Sequence, residues 1–259
     1  MNIGKLFKNI PSEFNNHKFS SLSFNSKICK NGDIFFSIKG NKKNGNQFIK
    51  EAIKKGAKTI VSDLKFQGIK DNILYIKTKN SRKLLSEVSS KFYEKKPANL
   101  IAVTGTNGKS SIANFYFQIL NLNKVKAASI GTLGINYPNG NKKIINTTLD
   151  PINLNKTLEE LKKKNINNVI LEASSHGLKQ NRLDGLKFDT AIFTNLSRDH
   201  LDYHKTYKDY FDSKLILFNK LTKKRGTIIY DNDISHAKTI KKICTNKRLK
   251  SLTIGKKNS

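Results

Sequence analysis

The chain has 259 residues, room for one large or two ordinary domains, and carries 49 Lys and Arg against 19 Asp and Glu, a formal charge of +30. Only five of the basic residues are Arg (Arg82, Arg182, Arg198, Arg225, Arg248). The rest are Lys scattered along the whole chain beside abundant Asn. Nucleic-acid readers concentrate Arg on one face for bidentate contacts, so the charge is read as compositional drift and no nucleic-acid partner is expected. No apolar run approaches the roughly 18 to 20 residues of a membrane span. Two distant thiols, Cys29 and Cys244, suggest neither a disulfide framework nor a metal knuckle. With no secretory leader visible after Met1, a cytoplasmic protein without a membrane partner is expected.

In chain order, Asp33 to Ile38 reads as a strand and Phe48 to Lys55 as a helix stopped by Gly56. Thr59 to Val61 and Ile73 to Ile76 read as further strands, and Ser81 to Tyr93 as a helix capped by Ser81. The polar stretch from Glu94 to Pro97 then breaks the pattern and predicts a domain boundary, giving domains 1–97 and 98–259. The second begins with the strand Leu100 to Val103 and a helix from Lys109 to Leu120. Strands follow at 168–171, 190–193 and 227–230, and helices at 153–164, 207–220 and 235–244, with one more strand expected before Gly255. This alternation predicts an α/β fold with a mainly parallel sheet.

Three segments after strands carry chemistry. The first runs Thr104-Gly105-Thr106-Asn107-Gly108-Lys109-Ser110-Ser111 and opens a helix. Glycines let backbone N–H groups converge on a phosphate chain, and the helix N-terminus adds its dipole. Lys109 then faces the β- and γ-phosphates, with the Ser110 hydroxyl on Mg²⁺. The strict pattern G-x-x-x-x-G-K-[ST] is not met, because Val103 stands at the first glycine; an ordinary glycine-rich turn is the competing reading. The second segment, Leu171 to Leu178, places Glu172 at a strand end, where ligands bind in open α/β sheets. Glu172 is read either as a bridge to Mg²⁺ or as a helix-capping acid. The third, Phe193 to His204, spaces His200 and His204 as a zinc pair would, but no Glu follows His200 and no third ligand is evident. A neutral His200 on a nucleotide-associated Mg²⁺ is the preferred reading.

Taken together with Asn146-Thr147-Thr148, the segments Thr-Gly-Thr-Asn-Gly-Lys-Ser, Glu-Ala-Ser-Ser-His-Gly-Leu and Thr-Asn-Leu-Ser-Arg-Asp-His-Leu-Asp-Tyr-His resemble the Mur ligase family. The likeness runs in order from about Ser20 to the mid-230s, and within the family it points to members that extend UDP-MurNAc-L-Ala-D-Glu by one amino acid. It implies a small N-terminal α/β domain for the UDP substrate and a P-loop central domain. The resemblance assigns Gly105, Thr106, Asn107, Gly108, Lys109, Ser110 and Ser111 to ATP, and Ser110, Glu172 and His200 to Mg²⁺. Lys214 matches a family lysine carbamylated by CO₂ that holds a second Mg²⁺, so Lys109, Lys214, Glu172 and His200 form the implied catalytic set. Ser26, Asn41, Lys42 and Lys43 match substrate-binding positions in the first domain. Asn146, Thr147, Thr148, Ser174, Gln180 and Arg182 do so in the second, with Arg182 suited to a carboxylate or phosphate. The implied reaction passes the γ-phosphate of ATP to the D-Glu carboxylate, and the amine of the incoming amino acid, meso-diaminopimelate or alternatively lysine, then displaces phosphate.

The resemblance covers the first of three family domains and part of the second, so the C-terminal ligase domain is expected to be absent and the isolated chain inactive. Tyr230 stands where the family usually has Asn. A monomer is expected. The rival readings are a folylpolyglutamate-synthetase-like ligase and a non-catalytic remnant that binds nucleotide or UDP-sugar.

Overall fold

The computed structural model describes residues 2–7, 10–40 and 43–256 and divides into two compact units, 1–92 and 93–259. In the first unit, short runs of β-branched and aromatic residues make β1 (Leu22–Ser23) and β2 (Ile34–Phe36). Then come α1 (Ile49–Lys54), β3 (Thr59–Ser62), β4 (Gly68–Lys70), β5 (Ile73–Lys77) and α2 (Ser81–Phe92). The sheet order is β1-β2-β3-β5-β4, parallel except for the edge strand β4. Phe35 and Ile60 pack on Ile49 and Ala52 of α1. The division falls between Phe92 and Tyr93, a few residues before the boundary expected at Pro97, and residues 93–98 carry no helix or strand.

The second unit opens with β6 (Asn99–Thr104), α3 (Lys109–Leu122), β7 (Ala127–Gly131), β8 (Gly134–Tyr137) and β9 (Gly140–Lys142). It continues with α4 (Pro151–Lys163), β10 (Asn168–Glu172), α5 (Ser175–Lys179), β11 (Phe188–Phe193) and α6 (Tyr207–Ile216). β12 (Thr222–Asp231), α7 (Ala237–Lys247) and β13 (Lys250–Ile254) follow. Its eight strands lie in the order β13-β12-β11-β6-β10-β7-β8-β9, all parallel through β7 and antiparallel in the β7–β8–β9 meander.

Both faces of this sheet are covered, which is why its central strands read as continuous apolar runs. Val103 and Ile170 point to α3 at Ala113, whereas Ala102, Val169 and Leu171 point to Leu154, Leu158 and Leu161 of α4. Tyr230, where the family likeness led one to expect Asn, is a buried core residue of β12 whose hydroxyl accepts a bond from Ser251. The helix expected over 207–220 is α-helical only to Ile216. A π-helical turn, Leu217–Leu221, follows, and β12 begins at once.

Chain order decides where the cleft lies. From β6 the chain crosses over β10 to reach β7, and from β10 it crosses back over β6 to reach β11. The connections leaving β6 and β10 therefore diverge, and a crevice opens at the C-terminal ends of these strands.

Candidate active site

Every segment after β6, β10 and β11 delivers side chains to one cleft of about 350 Å³. Its lining includes Thr106 to Ser111, Thr132, Thr147, Glu172, Ser174, Ser175, His200, Tyr210 and Lys214. The loop between β6 and α3 depends on two glycines in left-handed backbone, Gly105 at φ +144° and Gly108 at φ +83°. At Gly105 a methyl group would sit 1.8 Å from Thr194 Oγ1, so only glycine fits there. The loop is laced to the segment after β11. Asn107 donates its N–H to Asn195 Oδ1 at 2.9 Å, Thr194 Oγ1 donates to the Asn107 carbonyl at 2.6 Å, and Thr106 N–H donates to the Asn195 carbonyl at 2.9 Å.

At the start of α3 the Lys109 ammonium donates to the carbonyls of Gly105 (3.0 Å) and Thr106 (2.7 Å). Burial pulls its pKa below the ordinary lysine range, against the opposing pull of Glu172 and Asp199. Ser110 Oγ donates to Glu172 Oε2 at 3.0 Å. Glu172 is 1 % exposed at the end of β10, and it also accepts from Thr132 N–H at 2.8 Å and Thr132 Oγ1 at 3.2 Å. It caps no helix; the cap of α5 is Ser174, whose Oγ accepts from Gly177 N–H. Two adjacent oxygen donors, a hydroxyl and a carboxylate, suit Mg²⁺.

Lys214, buried on α6, donates from Nζ to the same Gly105 carbonyl at 2.6 Å and lies 4.2 Å from the centre of the Tyr210 ring. Burial, reinforced by the neighbouring Lys109 charge, lowers its pKa to about 7. An unfolded chain keeps this proton up to the ordinary lysine value, so between about pH 7 and that value unfolding takes up a proton and stability rises with pH. Below about pH 7 both states are charged and the gain is absent. Lys96, lowered to about 8, acts in the same sense, whereas Cys29, raised to about 11, opposes it only in the thiol range. The urea midpoint of the wild-type chain is therefore expected to rise between about pH 7 and 8.5. Lys214→Met should reduce that slope, and an unchanged slope would place Lys214 in water.

The remaining expected residues fall into groups. His200 lines the cleft in left-handed backbone at φ +51°, edge-on to His176 at 4.9 Å. Thr147 and Thr132 share a hydroxyl contact of 3.1 Å, and Thr148 Oγ1 meets Ser174 Oγ at 3.0 Å. The Arg182 guanidinium donates to the Thr148 carbonyl at 2.5 Å and to Gln180 Oε1, so Thr148, Ser174, Gln180 and Arg182 make one cluster. Asn146 is exposed. In the first unit Ser26 is buried with Oγ donating to Glu51 at 2.6 Å, and Lys43 lies over the Phe48 ring. Asn41 and Lys42 lie outside the described residues. His200 and His204 form no pair, because the His204 ring nitrogens face Ser175 and Ser213. Sequence reasoning passed over Thr132, Tyr210, Thr194 and Asn195; the last two stood in a motif after β11, but Thr132 follows a strand of mostly small residues, in which Ile130 alone is β-branched.

Among the described residues no helix is long and apolar enough to cross a membrane. Family models describing the Mur ligase middle domain and the Mur ligase family catalytic domain match residues 103–259 and 18–93. The chain belongs to the Mur ligase family. Among individual proteins it is similar to UDP-N-acetylmuramoyl-L-alanyl-D-glutamate–2,6-diaminopimelate ligase of Rickettsia montanensis, at 42 % identity over 96 % of this chain and 52 % of that protein. A solved structure of an enzyme of that name superposes with a TM-score of 0.87 at 28 % identity, covering 100 % of this chain and 53 % of the other. Escherichia coli FolC in complex with DHPP and ADP shares the fold alone, with a TM-score of 0.53 at 16 % identity over 69 % of this chain and 47 % of the other. The chain spans about half the length of the curated relatives it matches.

Proposed function

We propose that the chain provides the nucleotide- and acceptor-binding half of an ATP-dependent amide ligase that extends UDP-MurNAc-L-Ala-D-Glu by one amino acid, diaminopimelate by analogy with its relatives. The observation that carries this reading is the convergence of Lys109, the Ser110–Glu172 pair and Lys214 on one cleft beside the Thr147–Thr148–Ser174 cluster. Charge develops on phosphate oxygens during phosphoryl transfer, and fixed cations and N–H donors stabilise it without reorganising.

In this reading the Gly105–Gly108 loop and the N-terminus of α3 cradle the ATP phosphates, and Lys109 leaves its carbonyl partners to face them. Ser110, Glu172 and His200 would hold Mg²⁺, which as a Lewis acid offsets the phosphate charge. Lys214, whose buried amine is easily deprotonated, would be the residue to carry a CO₂-derived N-carboxylate, which would supply a further oxygen ligand in place of an amine. Thr147, Thr148, Ser174, Gln180 and Arg182 orient the acceptor carboxylate toward the γ-phosphate. The carboxylate oxygen attacks phosphorus, ADP leaves, and an amine then displaces phosphate from the acyl phosphate.

Calorimetric titration of the 259-residue chain tests the reading. A magnesium complex of a non-hydrolysable ATP analogue and UDP-MurNAc-L-Ala-D-Glu are each expected to bind, and at a hundredfold excess over Kd each adds about 2.7 kcal/mol of stability. Binding of a folyl glutamate in place of the muramoyl dipeptide would move the chain to the other ligase class. Binding of neither nucleotide nor UDP-sugar would overturn the proposal.

A further inference from the structure

His204 is a buried polar group that the proposed chemistry leaves unused. Its ring is fully enclosed and lies between two helices that serve different parts of the cleft. Nε2 lies 3.0 Å from Ser175 Oγ, at the first residue of α5, and Nδ1 lies 3.4 Å from Ser213 Oγ on α6. The hydroxyl of Ser213 donates to the Asp209 carbonyl at 2.7 Å, so its oxygen accepts from Nδ1–H, and Nε2 accepts from the Ser175 hydroxyl. Asp209 Oδ2, 3.5 Å from Nδ1, favours the same tautomer, and burial together with Lys179 keeps the ring neutral. A second brace on the outer side of the same helices is the ion pair of Lys179 with Asp209.

The two hydroxyls that the ring joins are each one residue from a cleft residue. Ser175 follows Ser174, which caps α5 and meets Thr148; Ser213 precedes Lys214, which holds the Gly105 carbonyl. We propose that His204 is a positioning residue whose imidazole sets the start of α5 in register with Lys214 on α6, so that the acceptor side and the Lys214 side of the cleft keep one spacing. What that register serves rests on the ligase reading above. The physical basis is that losing the ring leaves the buried Ser175 hydroxyl without its acceptor and removes the inner tie between the helices, so that only the Lys179–Asp209 pair still holds α5 against α6. Consecutive Cα atoms are about 3.8 Å apart, so a displacement at Ser213 passes almost undiminished to Lys214.

The test is trace acylation with acetic anhydride at one fixed pH, read by peptide mass spectrometry on the intact 259-residue chain. Lys162, partly buried on α4, and Lys208, exposed on α6, serve as internal references. In the wild type Lys214 should label far more slowly than Lys208. His204→Phe, which keeps an aromatic ring of slightly larger size and removes both hydrogen bonds, should raise Lys214 labelling at least tenfold while Lys162 stays unchanged. His204→Asn, whose amide can replace only Nδ1, and His204→Gln, whose amide can replace only Nε2, each keep one of the two contacts and should both raise Lys214 labelling, by less than the Phe variant does. Should the Phe variant fail to fold, Ser213→Ala is expected to give the same selective rise. Unchanged Lys214 labelling, or Lys162 and Lys214 rising in step, would overturn the proposal. A wild-type chain that binds no nucleotide overturns the ligase reading instead, and the labelling ratio then still decides the register.

Discussion

Lys109→Met is expected to lower the affinity for a magnesium-bound ATP analogue at least about a hundredfold while leaving the thermal midpoint unchanged or slightly higher. Hydrogen bonds to a charged partner are worth about 1.5–3 kcal/mol each, and 1.4 kcal/mol is tenfold in affinity, so losing two such bonds to the phosphates gives at least about a hundredfold. Stability should not follow. In the folded chain the Lys109 ammonium is desolvated, and it lowers the pKa of Lys214 through like charge. Methionine keeps the apolar stem and removes both penalties, which offsets the two carbonyl hydrogen bonds that the ammonium gives up. Calorimetry and thermal unfolding on one preparation separate the two effects. Wild-type affinity in the variant would mean that phosphates do not sit at this loop.

Glu172→Ala is expected to abolish the dependence of nucleotide affinity on Mg²⁺ and to destabilise the second unit. Three donors lose their acceptor: the Ser110 hydroxyl and the N–H and hydroxyl of Thr132. Orphaned buried donors cost about 1–3 kcal/mol each, but Thr132 is open to water, so the total should stay near the lower part of that range. Gly131→Ala provides an independent route to the same end with Glu172 intact. A methyl group there would lie 2.1 Å from Glu172 Oε1, and a carboxylate held by three donors has no free direction in which to retreat. Overpacking of this kind costs about 1–3 kcal/mol. Both variants should bind nucleotide equally with and without Mg²⁺. Retained Mg²⁺ dependence in Glu172→Ala would remove this carboxylate from the metal site.

The prospective nucleotide loop was legible because its demands are local. Only glycine takes φ +83° at Gly108 without strain, and a lysine followed by serine at the start of a helix needs no distant partner to point toward the strand ends. The strands Leu100 to Val103 and Asn168 to Leu171 were equally plain, since a strand covered on both faces is apolar throughout. Glu172 and His200 were singled out by their place after strands, the family likeness added Lys214, and the fold brings all three to one cleft.

What the sequence by itself determined, then, was the α/β alternation, the glycine-rich turn and the set of side chains fit for phosphate and metal. Only tertiary structure decided the rest, and the reason is the same in each case: the stabilising partner lies far along the chain. β7, Ala-Ala-Ser-Ile-Gly, has weak intrinsic preference for a strand and exists because β10 and β8 pair with it on either side. α5 contains Gly177, a poor helix former, because a larger residue would meet Thr148 at 2.7 Å. Thr132 became a partner of Glu172 only when that pairing brought the β7–β8 turn to the end of β10. His204, four residues from His200 in sequence, was turned away from it by Ser175 and Ser213, contacts that no spacing rule contains.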